Sequence, residues 1–246
     1  MVISLSLFCG NVFAEQQSLG LETIIKTLLK KKTNTNQNIE LIYKVKDYYF
    51  QILSGQEELD VSEEVRKHFE KAIFKAEEKF SEGDDEVSQS SITKLKLGLS
   101  GALNGIVELK SKIAQAKISL EEIIGKDLRE DSFHGNHIRP LIFPYLSFDS
   151  YVESVVHSNK SMRTNSEMKK AFIRVNESRE KMVIAEKLKK ITRALLVTEV
   201  ANHDFGIGDS GDLFEALIIY TRVLRGYYQC IYEFNMAVAV LEKLQP

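Results

Sequence analysis

A glycine-rich turn near the end of the chain reads Phe205-Gly206-Ile207-Gly208-Asp209-Ser210-Gly211-Asp212. After it, apolar or aromatic residues recur at alternating steps of four and three, at Leu213, Leu217, Tyr220, Leu224, Tyr227, Ile231, Phe234, Val238 and Leu241. This 3.5-residue period is typical of a coiled-coil seam. Glycine adopts a positive φ without strain, and Asp212 is placed to cap the first helical turn. The stretch therefore predicts a sharp reversal into a long helix.

A second seam with the same rhythm lies in the first half of the chain, at Ile92, Leu95, Leu99, Ala102, Ile106, Leu109, Ile113, Ala116, Leu120 and Ile123. The turn before it, Phe80-Ser81-Glu82-Gly83-Asp84, shares the pattern Phe-x-x-Gly-Asp with the turn at 205–209, which lies 125 residues later. Upstream, residues 19–22 resemble residues 146–149 at an offset of 127. Two matches at nearly one offset indicate an internal duplication of a helical hairpin.

These patterns predict an all-α fold of elongated antiparallel coiled-coil helical hairpins in two tandem repeats, with little or no β-structure. We expect the first repeat at residues 15–125, a connector loop at 126–145 and the second repeat at 146–246. Each repeat opens with a short amphipathic helix that precedes the long ones. Beside the first seam lie three clustered glycines, which indicate the close approach of another helix; they are Gly98, Gly101 and Gly105.

The charge of the chain is balanced, with 33 basic and 35 acidic residues and a formal net charge of −2. Such a balance provides no positive surface for a phosphate backbone, so nucleic acid is not an expected partner. One basic run, at 187–193, has acidic residues nearby in the sequence. We interpret this run as a solvated helix face, with an anionic partner as the alternative.

Residues 1–14 are apolar or small, and Val12-Phe13-Ala14 fits a cleavage site before Glu15. We expect a signal peptide here, although a positively charged start is missing; the alternatives are a short buried segment and a mis-assigned start. The apolar run is shorter than the roughly 20 residues that a membrane-spanning helix needs. Cleavage would leave Cys230 as a single cysteine, which forms no disulfide within the chain.

The sequence carries no motif for catalysis or for a cofactor. His134 and His137 form a His-x-x-His pair, but no cysteine or carboxylate pair accompanies them at ligand spacing, so a solvated loop is favoured over a metal site. Gly206-Ile207-Gly208 lacks the third glycine and the preceding strand of a dinucleotide-binding fingerprint. We therefore predict a protein that is not an enzyme and that uses no cofactor or metal.

The C-terminal turn and helix resemble those of TolC-like outer-membrane efflux proteins. The resemblance rests on residues 205–217 and on Tyr228-Gln229-Cys230-Ile231-Tyr232-Glu233-Phe234-Asn235-Met236-Ala237-Val238-Ala239. Residues 45–125 are similar to the corresponding hairpin of the first repeat in that family. The internal duplication is also the family's own architecture.

The resemblance implies an efflux or secretion channel of the cell envelope, in which three subunits build a periplasmic tunnel that conducts passively at the outer membrane. It also implies that the two turns meet the periplasmic adaptor of an inner-membrane pump. The expected partner-binding residues are then Gly83, Asp84, Gly206, Gly208, Asp209 and Leu213. The same residue types also suit plain turns and helix caps.

The sequence departs from the family between its helices. Each family repeat holds two membrane-spanning strands, and each strand needs about 9 to 11 alternating residues. Neither 31–38 nor 160–187 offers such a pair, so we expect a shortened form of the family. The alternatives are a soluble periplasmic coiled-coil interaction protein, which binds an efflux adaptor or a full-length relative, and an inert decayed copy.

Overall fold

The computed structural model describes residues 20–31, 35–83, 87–128, 132–133, 135–155 and 166–245. Within these ranges the chain forms helices and no strand: α1 (Leu21–Lys31), α2 (Thr35–Ser81), α3 (Gln89–Ile124), α4 (Phe148–Val155), α5 (Ser166–Asp204) and α6 (Ser210–Lys243). The predicted all-α fold is confirmed. None of the helices in the described ranges is long and apolar enough to cross a membrane. The signal peptide expected at 1–14 lies outside the described residues.

Two antiparallel hairpins of long helices lie side by side. The pairs are α2 with α3 and α5 with α6, and α6 also packs along α2. The α2 and α6 helices run in opposite directions, because Glu64 of α2 accepts a hydrogen bond from Tyr220 whereas Asp47 accepts one from Tyr232. The 47 residues of α2 correspond to about 70 Å at helical rise. The order across the layer is α3, α2, α6 and α5, so α3 and α5 form its edges.

Both predicted seams lie in the core. On α6, eight of the nine seam residues are buried and Tyr227 is half-buried. On α3, seven of the ten are buried, and the remaining three are half-buried. Burying a leucine or isoleucine side chain contributes about 1.5 to 3 kcal/mol, so these seams contribute a substantial part of the apolar burial that holds the layer together.

Most helix boundaries follow the local sequence signals. α2 begins at Thr35, so residues 35–38, which include two asparagines and would suit a loop, are helical instead. The helix continues without a break through 56–61, where the apolar pattern changes phase. α3 ends at Ile124, and its C-cap Gly125 has a φ of 63° and donates its N–H to the carbonyl of Glu121 at 2.8 Å. Ser147 caps the start of α4, because its hydroxyl accepts the N–H of Ser150 at 3.2 Å, and serine is among the residues favoured at this position.

The connector expected at 126–145 is more closely packed than a solvated loop. Phe133 and Ile138 are both buried against the helices. The ring of Phe133 meets the ring of Tyr49 on α2 edge to face, with centroids 5.8 Å apart. The described part of the connector therefore belongs to the core around the first half of α2.

Two side chains from the second hairpin also hold this connector. Asn235 on α6 is fully buried; it accepts the N–H of Leu141 at 2.7 Å and donates to the carbonyl of Arg139 at 2.9 Å. Arg179 on α5 donates to the carbonyl of Phe143 at 2.7 Å. These bonds provide partners for backbone groups of the connector, which lie outside the helices and so lack intrahelical hydrogen bonds.

Candidate functional site at the hairpin turns

The turn between α5 and α6 needs glycine at two positions for different reasons. Gly206 has a φ of 75°, a conformation that other residues rarely adopt. At Gly208, a Cβ atom would lie 2.8 Å from the Cβ of Asn202. The N–H groups of Ile207 and Gly208 both donate to the carbonyl of Asn202, at 3.0 and 3.2 Å. The turn thus closes the last helical turn of α5 with backbone hydrogen bonds.

The cap of α6 differs from the sequence prediction. α6 begins at Ser210, and its N-cap is Asp209, whose carboxylate accepts the N–H of Gly211 at 3.2 Å. The cap predicted at Asp212 is wrong because the helix starts earlier than the first seam residue. Asp212 lies in the first turn instead, where its negative charge favours the helix dipole. Leu213 is buried in the core shared by α2, α3 and α6, so it supports the turn from beneath.

The first hairpin turn lies at the same end of the molecule. Gly83 is exposed and has a φ of 81°, as a tight reversal requires, whereas the predicted site residue Asp84 lies outside the described residues. α3 begins after Ser88, whose hydroxyl accepts the N–H of Ser91 at 3.1 Å. A pocket of about 440 Å³ is lined by the second turn, by α2 and by Val87, which precedes the N-cap of α3. The structure therefore places the second turn beside the end of α2 and the residues that lead into α3.

A cluster of charges joins the two hairpins beside this pocket. Lys71 and Lys75 of α2 donate to the two carboxylate oxygens of Asp204, at 2.6 and 2.8 Å. These hydrogen bonds lower the pKa of Asp204 to about 2. Next to it, burial lowers the pKa of the half-buried His203, and the positive charge of Lys75 lowers it further. Local sequence pattern does not reveal this cluster, because only the pairing of α2 with α5 and α6 brings its residues together.

Two large apolar side chains of the turn face solvent. Phe205 is 80% exposed and Ile207 is 79% exposed. Exposed apolar groups at a loop tip are typical of protein contact surfaces, because burying them against a partner removes apolar area from water. Neither residue is among the predicted partner-binding residues, although an aromatic residue beside glycines in a turn is a signal that the sequence itself contains.

The histidines and the cysteine form no metal centre in the described residues. The Nδ1 atom of His137 lies 2.8 Å from a carboxylate oxygen of Glu57, and His134 lies outside the described residues. No group of three or more metal-ligating side chains occurs in the part of the chain that the structure describes. Cys230 on α6 is a half-buried thiol, and burial raises its pKa.

Comparison with known proteins finds similarity in structure alone. No protein-family model matches the chain, and no curated protein matches it. The outer-membrane channel OprN has a similar structure, with a TM-score of 0.64 and 10% identity over 91% of this chain and 69% of that one. CusC, whose structures concern folding and transmembrane channel formation, gives a TM-score of 0.61 and 10% identity over 90% of this chain and 70% of that one. The likeness supports the resemblance to TolC-like proteins at the level of the fold.

Proposed function

We propose that this chain is a subunit of a TolC-like efflux or secretion channel in the cell envelope. The first test of this role is a measurement of the oligomeric state. Three copies would close into a tunnel that conducts substrates passively, without a cofactor or a chemical step. The hairpin turns would meet the adaptor of an inner-membrane pump. Support comes from the shared fold, from the exposed turn residues and, above all, from the two edges of the helical layer.

The edge helix α5 exposes an apolar stripe on the side away from α6. Its residues are spaced by four, three and four, and they are Ile184, Leu188, Ile191 and Leu195. A different set on the same helix is buried, as at Ala171 and Leu196. A second stripe with 3.5-residue spacing is what a helix with a further coiled-coil partner carries. This unpaired stripe is the observation that carries the proposal.

The opposite edge offers a surface for that stripe. α3 exposes large apolar side chains on the face that does not meet α2, at Leu103, Val107 and Ile118. If the α5 edge of one copy packs against the α3 edge of the next, two different surfaces meet and the interface is heterologous. Such interfaces generate closed rings when the rotation from one copy to the next returns to the first copy. The number of three copies comes from the resemblance to the family.

The turns supply the proposed docking surface for an adaptor. Gly206, Gly208 and Asp209 fix the shape of the second turn, and Gly83 and Asp84 belong to the first. Phe205 and Ile207 would supply the apolar contact area, with Leu213 beneath them. We expect Ile207→Asp to weaken binding of a candidate adaptor at least tenfold in surface plasmon resonance, because the variant places a charge in an apolar contact.

The oligomeric state is the decisive test. We expect the purified protein to have three times the mass of the 28.0 kDa chain in native mass spectrometry. Ile191→Asp should give single chains, because it places charges within the proposed edge contact. Lys190→Asp is the matched control: it adds the same side chain at an exposed position about 100° around α5 from Ile191, outside the stripe, and should leave the trimer intact.

A parent protein that stays a single chain at micromolar concentration would overturn the homotrimer. In that case the α5 stripe would favour the second candidate, a helical interaction protein that binds an adaptor or a longer relative. Cell fractionation with a carbonate wash separates proteins of the outer membrane from soluble proteins of the periplasm, and so distinguishes the two candidates. The channel subunit should remain with the washed outer membrane, whereas the interaction protein should be recovered with the soluble periplasm.

A further inference from the structure

A groove on one face of the layer is separate from the turns and from the α5 edge. Its floor is α2 and its walls are α3 and α6, with Phe69, Gly101 and Ile218 as one representative from each. The groove has a volume of about 560 Å³. Small-molecule sites in proteins have volumes of about 300 to 1,000 Å³, so the groove is large enough for one ligand.

The glycines of α3 explain why the groove is open. At Gly98 a Cβ atom would lie 2.5 Å from the ring of Phe69, so close helix packing accounts for this glycine. At Gly101 a Cβ atom would meet nothing within 4 Å, and at Gly105 the nearest atom belongs to Arg225 at 3.8 Å. The predicted close helix approach is therefore confirmed at Gly98 and wrong at Gly101. A glycine in mid-helix costs about 0.5 to 1 kcal/mol relative to alanine, and at Gly101 no packing contact offsets this cost.

The two ends of the groove differ in character. At the Gly98 end the walls are apolar, and Leu97 is 67% exposed there. At the Gly105 end lie Arg222 and Arg225, and no carboxylate lines the groove among the described residues. From Leu97 to Gly105 the helix rises about 12 Å. The groove is thus apolar for most of its length and cationic at one end.

The two arginines are not equivalent. Arg225 donates to the carboxylate of Glu58 at 3.2 Å, so its charge is already compensated. Arg222 is exposed and makes no ion pair within the described part of the chain. A guanidinium group binds carboxylates through a planar pair of N–H donors. Arg222 is therefore the available anchor for an anionic group.

We propose that this groove binds an anionic single-chain amphiphile, a fatty-acid-like carboxylate. The head group lies at Arg222, and the alkyl chain follows the open face of α3 past Gly101 towards Phe69. Charge complementarity selects a carboxylate head, and the apolar walls select the chain. The site goes beyond the proposed channel function, because it shares no residue with the turns or with the α5 stripe.

Calorimetric titration of the full chain with decanoate tests the proposal, in buffer without detergent and below the micelle-forming concentration of the ligand. We expect saturable binding of one decanoate per chain. Decanol has the same chain without the charge, and it should bind at least tenfold more weakly. Arg222→Ala should weaken decanoate binding about tenfold, because a charge-assisted hydrogen bond is lost, and should leave decanol unaffected.

A pair of glycine variants separates binding in the groove from adsorption elsewhere. Gly101→Leu fills the groove, whereas Gly226→Leu adds the same side chain to an open position on α6 outside it. Both substitutions favour helix formation, so both variants should fold. We expect Gly101→Leu to weaken decanoate binding more than tenfold and Gly226→Leu to match the parent.

Two outcomes would overturn the assignment. The first is absent or unsaturable binding by the parent, or equal binding by the two leucine variants. The second is a change in the mass of the assembly with Gly101→Leu and not with Gly226→Leu in analytical ultracentrifugation. That second result would identify the groove as a contact between protein chains. It is distinguishable from failure of the channel proposal, for which Ile191→Asp is the diagnostic variant.

Discussion

The two helices of the second hairpin pack against each other, yet they use their apolar residues differently. α6 has twelve buried residues along its length and one exposed large apolar side chain, at Ile219. α5 has six buried residues and exposes seven large apolar ones: Ile173, Val183, Ile184, Leu188, Ile191, Leu195 and Val197. The difference arises because α6 lies between α5, α2 and α3, whereas α5 lies at the edge of the layer.

This comparison shows that apolar content alone does not identify a core helix. On α6 the apolar residues meet partners within the same chain, so changing them should alter the free energy of unfolding. On α5 the exposed stripe meets none of the other described helices, so changing it should alter association with other chains. The following variants test whether the two helices differ in this way.

The largest effect is expected from the double variant Leu217→Asp with Leu224→Asp on α6. Both leucines are buried in the seam, and each aspartate would bury a charge without a partner. We expect a loss of more than about 4 kcal/mol in the free energy of unfolding, which is a large fraction of the roughly 5 to 15 kcal/mol that stabilises a typical domain. Circular dichroism during urea titration measures the loss.

The matched control is Ile184→Asp with Ile191→Asp on α5, where both positions are exposed. At a concentration low enough to keep the chains apart, each change should cost no more than about 0.5 kcal/mol. Low concentration matters because dissociation of an assembly also lowers the apparent stability. Unchanged melting and helicity of the α6 double variant would disprove the coiled-coil seam, and equal losses in both double variants would remove the distinction between the helices.

The second-largest loss in the free energy of unfolding is expected from the buried side-chain amide of Asn235 on α6. Asn235→Ala leaves the N–H of Leu141 and the carbonyl of Arg139 without their partner, and an unsatisfied buried polar group costs about 1 to 3 kcal/mol. We expect a loss of about 2 kcal/mol and faster hydrogen exchange at the Leu141 amide. Gln229→Ala, at an exposed position of α6, should change the free energy of unfolding by less than about 0.5 kcal/mol. Equal exchange at Leu141 in both variants would contradict this role.

α5 holds the same connector less tightly. Arg179→Ala removes the donor to the carbonyls of Phe143 and Tyr145, but Arg179 is only half-buried, so water can replace part of these bonds. We expect a loss of about 1 kcal/mol, smaller than that of Asn235→Ala, in the same urea titration. A loss larger than that of Asn235→Ala would reverse the ranking of the two helices.

Local pattern predicted most of the fold, because a 3.5-residue period and glycine in a turn act through neighbours in the sequence. The seams on α3 and α6, the cap at Ser147 and the αL residue Gly125 all follow from such signals. The cap of α6 was misplaced because Asp209 and Asp212 are chemically alike, and only the backbone geometry shows which of them precedes the first helical turn.

The interactions that sequence reasoning missed all join distant parts of the chain. The ion pairs of Asp204 with two lysines of α2 span about 130 residues, and the bonds of Asn235 to the connector span about 95. No local period encodes such pairs. The groove could not be predicted for the same reason. The sequence does not distinguish Gly98, where the packing is tight, from Gly101, which faces open space.

The smallest change in the free energy of unfolding is expected from a substitution of Asp204, at the end of α5. Asp204→Asn removes a carboxylate that accepts hydrogen bonds from Lys71 and Lys75, and such partly exposed pairs contribute about 0.2 to 1 kcal/mol each. Folding lowers the pKa of Asp204 from 3.8 to about 2, so the carboxylate stabilises the folded chain fully above about pH 4. This contribution is lost as the pH falls through 2.

Urea titrations of the parent and of Asp204→Asn should therefore differ by about 0.5 to 1 kcal/mol at pH 6 and converge as the pH approaches 2. The difference should also shrink in 1 M salt, because salt screens exposed charges. Asp127→Asn removes an exposed carboxylate after α3 and should change the free energy of unfolding by less than about 0.5 kcal/mol at pH 6. If the Asp204 variant differed from the parent equally at every pH, the carboxylate would not join the hairpins. The expected result sharpens the contrast within the second hairpin, because the start of α6 is anchored by the buried Leu213, whereas the end of α5 is attached to α2 by charges that salt and acid can weaken.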